Sequence, residues 1–400
     1  MRKPTQRAKV NLMPRISDDE ALPEFRENWQ RETIARAQEY WTAARTEQLA
    51  AGKALLLPPA TSAPLLRALG LLHRDGSMPP KQVRKYWQVC HMVTLLSAQL
   101  RDVFAKHQPV RIVDVGCGRS YLTVVLAWIA KYQWQVPVQV LGIDRNADVI
   151  EECYRRVRLL QLDECVRFQH ASVEDFAPAA AWAATFSVPD AGDALAIDAA
   201  AALPDPAHVS ASLDPARASA SPNPAHGSAS PDTAHASASL VADRTPDDAT
   251  APAFAIHAVI ALHACDTATC DALALAIRVA ADLIAVAPCC QAEVARGWAA
   301  IAEGGGRGAF AAIWHTPHLR RETGADLTDA MRSVLLRSAG YQVSAIEFVP
   351  SDHTRKNTLI RAVRNPDVTP AARQAFRDEY DALVEVTGGV GISLGQTLKR

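Results

Sequence analysis

The 400 residues are enough chain for two or three domains and carry a formal net charge of −1, unevenly spread along the sequence. Hydrophobic residues make up 49%, but many are alanines in one biased segment, so the part able to build a core is shorter than the chain. No apolar run reaches the ~18 residues of a membrane span, and the opening Met-Arg-Lys-Pro-Thr-Gln-Arg lacks the apolar centre of a secretion signal, so neither a membrane partner nor export is expected.

Residues 1–20 read as a disordered basic start, and 21–108 as a helical N-terminal cap. Within the cap, Trp29, Ile34, Ala37 and Trp41 recur at helical spacing and predict one long helix from Pro23 to Ala51, stopped at Gly52. Leu55 to Pro59 reads as a short strand or turn, and Leu65 to Leu72 as a helix. Val83, Tyr86, Cys90, Val93 and Leu96 form the apolar stripe of a further helix from Lys81 to Leu100, whose first turn holds Lys81, Arg84 and Lys85. Residues 1–110 hold 17 Lys/Arg against 10 Asp/Glu, a net of +7, which suits either a polyanion such as RNA or a solvated helical surface.

The apolar run Arg111–Val115 then leads into Gly116-Cys-Gly-Arg-Ser120 and a predicted helix from Tyr121 to Tyr132. A second apolar run, Val138–Ile143, ends at Asp144. Strand, glycine turn, helix, strand, acid is the opening βαβ of a fold that holds a nucleoside at its strand ends. Glycine at 116 and 118 permits positive φ and lets a cofactor approach the backbone. An acid at the end of the second strand can accept two ribose hydroxyls. A dinucleotide fingerprint would place a third glycine where Tyr121 stands, so a nicotinamide-type oxidoreductase fits incompletely. Asp114 favours a cationic cofactor over a pyrophosphate.

Downstream, a helix is expected over Ala147–Leu160 and strands over Val166–His170, Ala258–His263, Leu283–Ala287, Val343–Val349 and Thr358–Val363. Helices are expected over Thr267–Ala280 and Leu327–Ala339, the latter capped by Asp326 and stopped at Gly340. The result is an α/β, Rossmann-like sheet of seven strands, mostly parallel with an antiparallel terminal hairpin, its core running over 109–186 and 254–364 with a C-terminal helix or tail over 365–400. Between the third and fourth strands, 187–253 holds no aromatic residue, 2 Arg against 9 Asp, and a fourfold nine-residue repeat beginning at Asp205, Asp214, Asn223 and Asp232. Such a segment has little to bury and reads as a disordered insert; its spaced histidines are too loosely tethered to hold a metal well. Eight cysteines without framework spacing read as reduced, cytoplasmic thiols.

The strand ends carry the chemistry. The first brings Asp114 to Ser120 and Tyr121, the second Asp144, Arg145 and Asn146, the third Ser172 and Glu174, the fourth His263-Ala-Cys265-Asp266-Thr267, and the fifth Pro288-Cys289-Cys290-Gln291. The acid-x-Gly-x-Gly run resembles the first motif of class I methyltransferases. Leu262-His-Ala-Cys-Asp-Thr-Ala-Thr269 with Pro288-Cys-Cys-Gln291 resembles one subgroup of them, distantly related to tRNA 2′-O-methyltransferases. Pro79 to Gln88, Leu327-Thr-Asp-Ala-Met-Arg332 and His353 to Arg361 extend the likeness, while the insert and His257, where relatives place an acid, depart from it. The resemblance implies S-adenosylmethionine as cofactor, held by Asp114, Gly116, Gly118, Ser120, Tyr121, Asp144 and Arg145, with Ser172 or Glu174 near the adenine and His263 beside it. It implies a methyl acceptor facing Asp266, His263, Cys289 and Cys290, and leans toward RNA. DNA is not expected, and no metal site is assigned.

Several roles stay open at this stage. Asp266 and His263 could serve as base or orienting groups, or could satisfy loop amides. Cys289 and Cys290 could be nucleophilic, could join Cys265 and Cys270 around zinc, or could form a tight wall. His315, His318, Arg320, Arg321, Arg355 and Lys356 could join the first-turn cations in a phosphate-binding rim, or remain solvated charge, and Asn357 could touch substrate or serve its turn. A nucleoside-binding module without turnover is the alternative from another class.

Overall fold

The computed structural model describes residues 22–186, 254–262, 264, 266–288, 290–348 and 357–399. The basic start and the repeat-bearing insert lie outside the described residues, as do His263, Cys265, Cys289, Arg355 and Lys356. The chain divides into one unit made of 1–191 with 255–400 and a second, 192–254. The first unit is built on seven strands: β1 (Val110–Val115), β2 (Val138–Asp144), β3 (Val166–His170), β4 (Ala258–Ala261), β5 (Leu283–Val286), β6 (Tyr341–Glu347) and β7 (Thr358–Arg364). Their order in the sheet is β3-β2-β1-β4-β5-β7-β6. The first five run parallel, and β7 is antiparallel to both β5 and β6. This is the class I methyltransferase sheet that the βαβ pattern and terminal hairpin predict. The order reverses between β1 and β4, which opens a crevice beyond the strand ends there.

Five parallel strands must be covered on both faces. Helices α1 (Pro23–Tyr40), α2 (Ala43–Ala50), α3 (Ala63–Ala68) and α4 (Pro80–Lys106) precede the sheet, and α5 (Tyr121–Trp128) and α6 (Ala147–Leu159) connect its first strands. Then follow α7 (Pro178–Phe186), α8 (Thr267–Arg278), α9 (Glu293–Glu303), α10 (Ala311–Trp314), α11 (Pro317–Ser338), α12 (Pro370–Val386) and α13 (Ser393–Thr397). Among the described residues, no helix is long and apolar enough to cross a membrane.

The N-terminal helices are part of the core. Leu57, Leu65, Tyr86, Leu96 and Leu100 belong to the same buried cluster as Val125 of α5 and Val140 of β2. The Arg361 guanidinium of β7 donates to the Leu95 carbonyl (2.8 Å) and the Gln99 side chain (3.0 Å) of α4. The apolar stripe predicted for α4 is buried at Tyr86, Cys90, Val93 and Leu96, and the helix runs on to bury Val103 and Phe104.

Two local expectations are corrected. The single helix from Pro23 to Ala51 is two: the Trp41 indole donates to the Gly76 carbonyl (2.8 Å) and Thr42 caps α2 through the Arg45 amide, so the chain turns between them. Over Leu55–Pro59 the chain bends without a strand, one of the two readings open for it. The late helix begins at Pro317, with Thr316 rather than Asp326 at its cap. Gly324 is buried in α11, where a Cβ would come within 2.9 Å of the Ala295 amide of α9; the glycine permits a close helix–helix approach. The helix after the glycine turn also continues as a π-helical stretch, Ile129–Trp134, beyond α5.

Gly142 sets the spacing inside the sheet. It pairs with Asp114, and a Cβ there would meet the Phe168 ring at 2.6 Å and the Cys117 sulfur at 3.0 Å. Gly142→Ala is therefore expected to cost about 1–3 kcal/mol through overpacking, measured by urea unfolding at neutral pH; an unchanged midpoint would refute this packing.

Candidate active site

The glycine turn is shaped by backbone conformation first. Gly116 (φ 64°), Gly118 (φ 52°) and Ser120 (φ 54°) all lie in the left-handed region, which is costly for any side chain but the absent one of glycine. Ser120 tolerates it with its amide donating to the Cys117 carbonyl (2.7 Å), while the Cys117 amide donates to the Ile143 carbonyl of β2 (3.0 Å). The loop thus folds back over β2 and leads directly into α5 at Tyr121.

Asp144 fixes this loop from the neighbouring strand. One carboxylate oxygen accepts the Gly118 amide (2.8 Å) and the other the Asn146 amide (2.9 Å). Asn146 in turn caps α6 through the amides of Asp148 and Val149. From α6, the Cys153 thiol donates to the Gly118 carbonyl (3.2 Å), and Arg156 donates to the Arg119 carbonyl. The acid predicted to hold a ribose therefore also holds the turn that would cradle the nucleoside.

Asp114 and Asp144 lie on adjacent strands at one crevice, as expected, but in unlike surroundings. Asp114 is only 3% exposed and accepts a hydrogen bond from the Thr123 hydroxyl of α5. Burial, against the opposing hydrogen bond from Thr123 and with the Asp144 charge adding to it, pushes its carboxyl up to about 7. Its side chain is buried against α5. Thr123, nine residues on and one side of α5, is the partner that sequence pattern alone did not single out.

The remaining cofactor candidates follow the ends of β1, β2 and β3. Tyr121, in the third-glycine position of a dinucleotide fingerprint, has the Lys85 ammonium 3.5 Å from its ring centroid and the Arg156 guanidinium 5.4 Å away. Arg145 pairs with Glu174 (3.5 Å), both exposed. The Ser172 hydroxyl donates to Asp175 (2.8 Å), closing its own turn. Asp271 of α8, absent from the sequence-based candidates, is half-buried, and its carboxyl is raised by burial and by Glu174.

Among the described residues, those following the fourth and fifth strands meet α11 in a buried polar cluster. Asp266 adopts φ 52°, ψ −115° before α8; its carboxylate accepts the Ala292 amide (3.0 Å) and binds Arg296. Its own amide donates to the Cys290 carbonyl (3.0 Å). Behind it, Arg332 of α11 is fully buried and donates to the Asp266 carbonyl (2.8 Å), the Asp329 carboxylate (2.9 Å) and the Cys270 sulfur (3.4 Å), with Glu293 at 3.6 Å. Gln291 donates to Asp329 (2.9 Å), and the Cys270 thiol donates to Glu293 (3.0 Å). Asp266 thus satisfies a loop amide and pairs with a guanidinium. Cys270 faces a guanidinium and a carboxylate, which argues against its serving a zinc ion. Among the described residues, no group of three or more His, Cys, Asp or Glu side chains is arranged to hold a metal.

Asp329 and Arg332 stand three apart on one face of α11, the signal in Leu327-Thr-Asp-Ala-Met-Arg332 that links this segment to the other two motifs. Cys290 is half-exposed beside Asp266 and unoxidised. The candidate rim residues after β5 that are described have local partners. His315 bonds the Gly306 carbonyl, Arg320 the Trp314 carbonyl, Arg321 reaches Glu322 and His318, and Asn357 donates to Glu347.

The Asp114 carboxyl carries a sign-definite prediction. Its folded value of about 7 exceeds its ordinary 3.8, so between these limits the folded protein keeps a proton that the unfolded chain releases. Its contribution to stability is therefore greatest below about 4, declines as pH rises to 7, and is level above. Urea unfolding of wild type and Asp114→Asn at pH 5 and pH 8 should show the variant gaining on wild type at pH 8; equal differences at both values would contradict the buried carboxyl.

The family described as methyltransferase domain matches residues 84–297, which spans the α4 stripe, the glycine turn, Asp144 and the cluster at the fourth and fifth strand ends. No curated protein matches the chain. Among solved structures, it is similar to the magnesium protoporphyrin IX methyltransferase of Synechocystis PCC 6803 with bound SAH, at 13% identity over 76% of this chain and 93% of that one, TM-score 0.33. A putative O-methyltransferase from Klebsiella pneumoniae is similar at 14% identity over 82% and 99%, TM-score 0.34. The plantazolicin methyltransferase BpumL in complex with SAH is similar at 9% identity over 86% and 98%, TM-score 0.32. The strand order, not these scores, defines the fold, and with the matched span covering more than half of its length this chain belongs to the methyltransferase-domain family.

Proposed function

We propose that the chain transfers a methyl group from S-adenosylmethionine to a polyanionic acceptor, RNA in particular. The observation that carries the first half is the Asp144 carboxylate, set at the end of β2 and hydrogen-bonded to the glycine turn that bends through left-handed Gly116 and Gly118. When bound, S-adenosylmethionine supplies an electrophilic methyl group on a cationic sulfur. The residues present suit it. Gly116 and Gly118 keep the turn free of side chains, and a Cβ at 116 would project toward Ala264 across the crevice at 3.8 Å. Asp144 retains acceptor capacity beyond its two amide bonds for vicinal hydroxyls. Asp114 lies beneath as a carboxyl that a nearby cation would ionise. No phosphate-binding glycine follows Gly118, in keeping with a nucleoside that carries none.

Methyl transfer of this kind depends on alignment, so much of the catalytic work falls to groups that hold geometry. Arg332, Asp329 and Gln291 do this for the loops after β4 and β5, which present Cys290 and the residues around it to the acceptor side. The choice of acceptor rests on the cations at the start of α4. Lys81 and Arg84 are exposed, and Lys85 is held over Tyr121 at the crevice mouth without a carboxylate partner among the described residues. These charges favour an acceptor with phosphates.

Incubating the purified protein with methyl-labelled S-adenosylmethionine and separate RNA, protein and metabolite fractions of a cell extract tests both halves. Label that nuclease releases from the RNA fraction is the expected result. Label confined to protein or metabolites would overturn the acceptor assignment, and tight cofactor binding with no label anywhere would overturn transfer itself.

A further inference from the structure

The N-terminal helices hold a second cationic site, away from the glycine turn. A cavity of about 330 Å³ is lined by Phe25, Trp29 and Arg36 of α1, Arg67 of α3 and Arg74 of the following loop. It adjoins a shallower one of about 600 Å³ that shares Arg36 and Arg74 and adds Tyr40 and Arg45. Guanidinium groups brought this close repel one another. The half-buried Arg67 has its pKa lowered by burial and then by Arg74, Arg155 and Arg36, with the Asp75 charge a smaller opposing influence.

The acidic neighbours do not neutralise the cluster. Glu32 is taken up by Arg36 at 3.0 Å. Asp75 accepts both the amide (3.0 Å) and the hydroxyl (2.7 Å) of Ser77, and Glu39 lines only the outer cavity. Among the described residues, neither Arg67 nor Arg74 pairs with a carboxylate. Arg67 reaches only the Leu72 carbonyl, at 3.4 Å. Unpaired cations crowded at a cavity of ligand size call for an anion.

The aromatic residues narrow the choice of anion. Phe25, Trp29 and Tyr40 alternate with the arginines along α1, and the Arg45 guanidinium already lies 4.3 Å from the Tyr40 ring centroid. Flat apolar faces between guanidinium groups match a strand that offers bases and phosphates in alternation, whereas an acidic peptide would leave the rings without partners. Arg155 acts on Arg67 from α6, where it and Arg156 share Glu152 at 3.9 and 3.3 Å; Arg156 also bonds the glycine turn at Arg119 and approaches the Tyr121 ring.

We infer that the Arg36–Arg67–Arg74 cavity, with Trp29 and Tyr40, is a docking site for a single-stranded segment of the RNA acceptor, remote from the segment being methylated. This inference rests on the RNA reading of the site above. It makes the N-terminal helices the substrate-holding part of the protein, with the sheet as the methyl-transferring part.

The test uses the full-length protein and a fluorescein-labelled single-stranded RNA oligonucleotide, with binding followed by fluorescence anisotropy at several salt concentrations. Arg67→Gln/Arg74→Gln should bind at least tenfold more weakly than wild type and show a shallower salt dependence, with calorimetric affinity for S-adenosylhomocysteine unchanged. Because Arg67 is partly buried, Arg74→Glu alone is measured beside it, and the same direction of change is required of this exposed position. Wild-type binding of RNA that both variants retain would overturn the docking site while leaving the RNA reading standing. Absence of RNA binding by the wild type would overturn both. Competition by polyglutamate as effective as that by unlabelled RNA would overturn the role given to the aromatic faces, and with it the choice of ligand.

Discussion

The attachment of the Asp144 carboxylate to two backbone amides is the constraint on which the site depends. A glycine turn with three left-handed residues has little intrinsic reason to hold one shape, since the freedom that admits positive φ also admits many alternatives. Charge-assisted hydrogen bonds from the end of the adjacent strand select one of them. Because β1 and β2 are locked in parallel register from Val110 opposite Val138 to Val115 opposite Ile143, the acid and the turn arrive together whenever the sheet forms. Fold and cofactor cradle are consequently one cooperative unit.

The second organising element is the buried guanidinium of Arg332. It gathers segments that are far apart in sequence, the loop after β4 through the Asp266 carbonyl, the first turn of α8 through Cys270, and the loop after β5 through Asp329 and Gln291. A fully buried charge is tolerated only when its partners are close and numerous, and removing one side of such an arrangement typically costs about 3–5 kcal/mol. The cluster ties the loops after β4 and β5 rigidly to α11. The C-terminal segment is tied into it as well, since the Ser393 amide donates to Glu293 (2.7 Å).

Much of this was legible in the sequence, for reasons that have clear physical limits. Seven strands, the glycine turn and Asp144 declare themselves because buried parallel strands are continuous apolar runs and because a turn with bare backbone needs glycine. The residue types in Ala264-Cys-Asp-Thr-Ala-Thr269 and Pro288-Cys-Cys-Gln291 suggest chemistry, but not the hydrogen bonds that Asp266, Cys270 and Gln291 make to neighbouring loops and helices. Residue type does not reveal side-chain direction, and a carboxylate turned toward a loop amide reads the same as one turned toward a substrate. Asp114 shows the same limit, since its burial depends on Thr123 and on the packing of α5. The start of α11 was missed because Gly324 signals a break in isolation and becomes a contact only when α9 lies against it. The N-terminal helices read as an appendage because their stripe could be seen, but not the partner that buries it.

The account stands or falls on Asp144 serving both the turn and the nucleoside. Calorimetric titration of S-adenosylhomocysteine into wild type and Asp144→Ala, with folding checked by circular dichroism, measures this directly. Loss of about 1–3 kcal/mol of binding free energy in a folded variant is the result the account predicts. Equal affinities for the two proteins would contradict it.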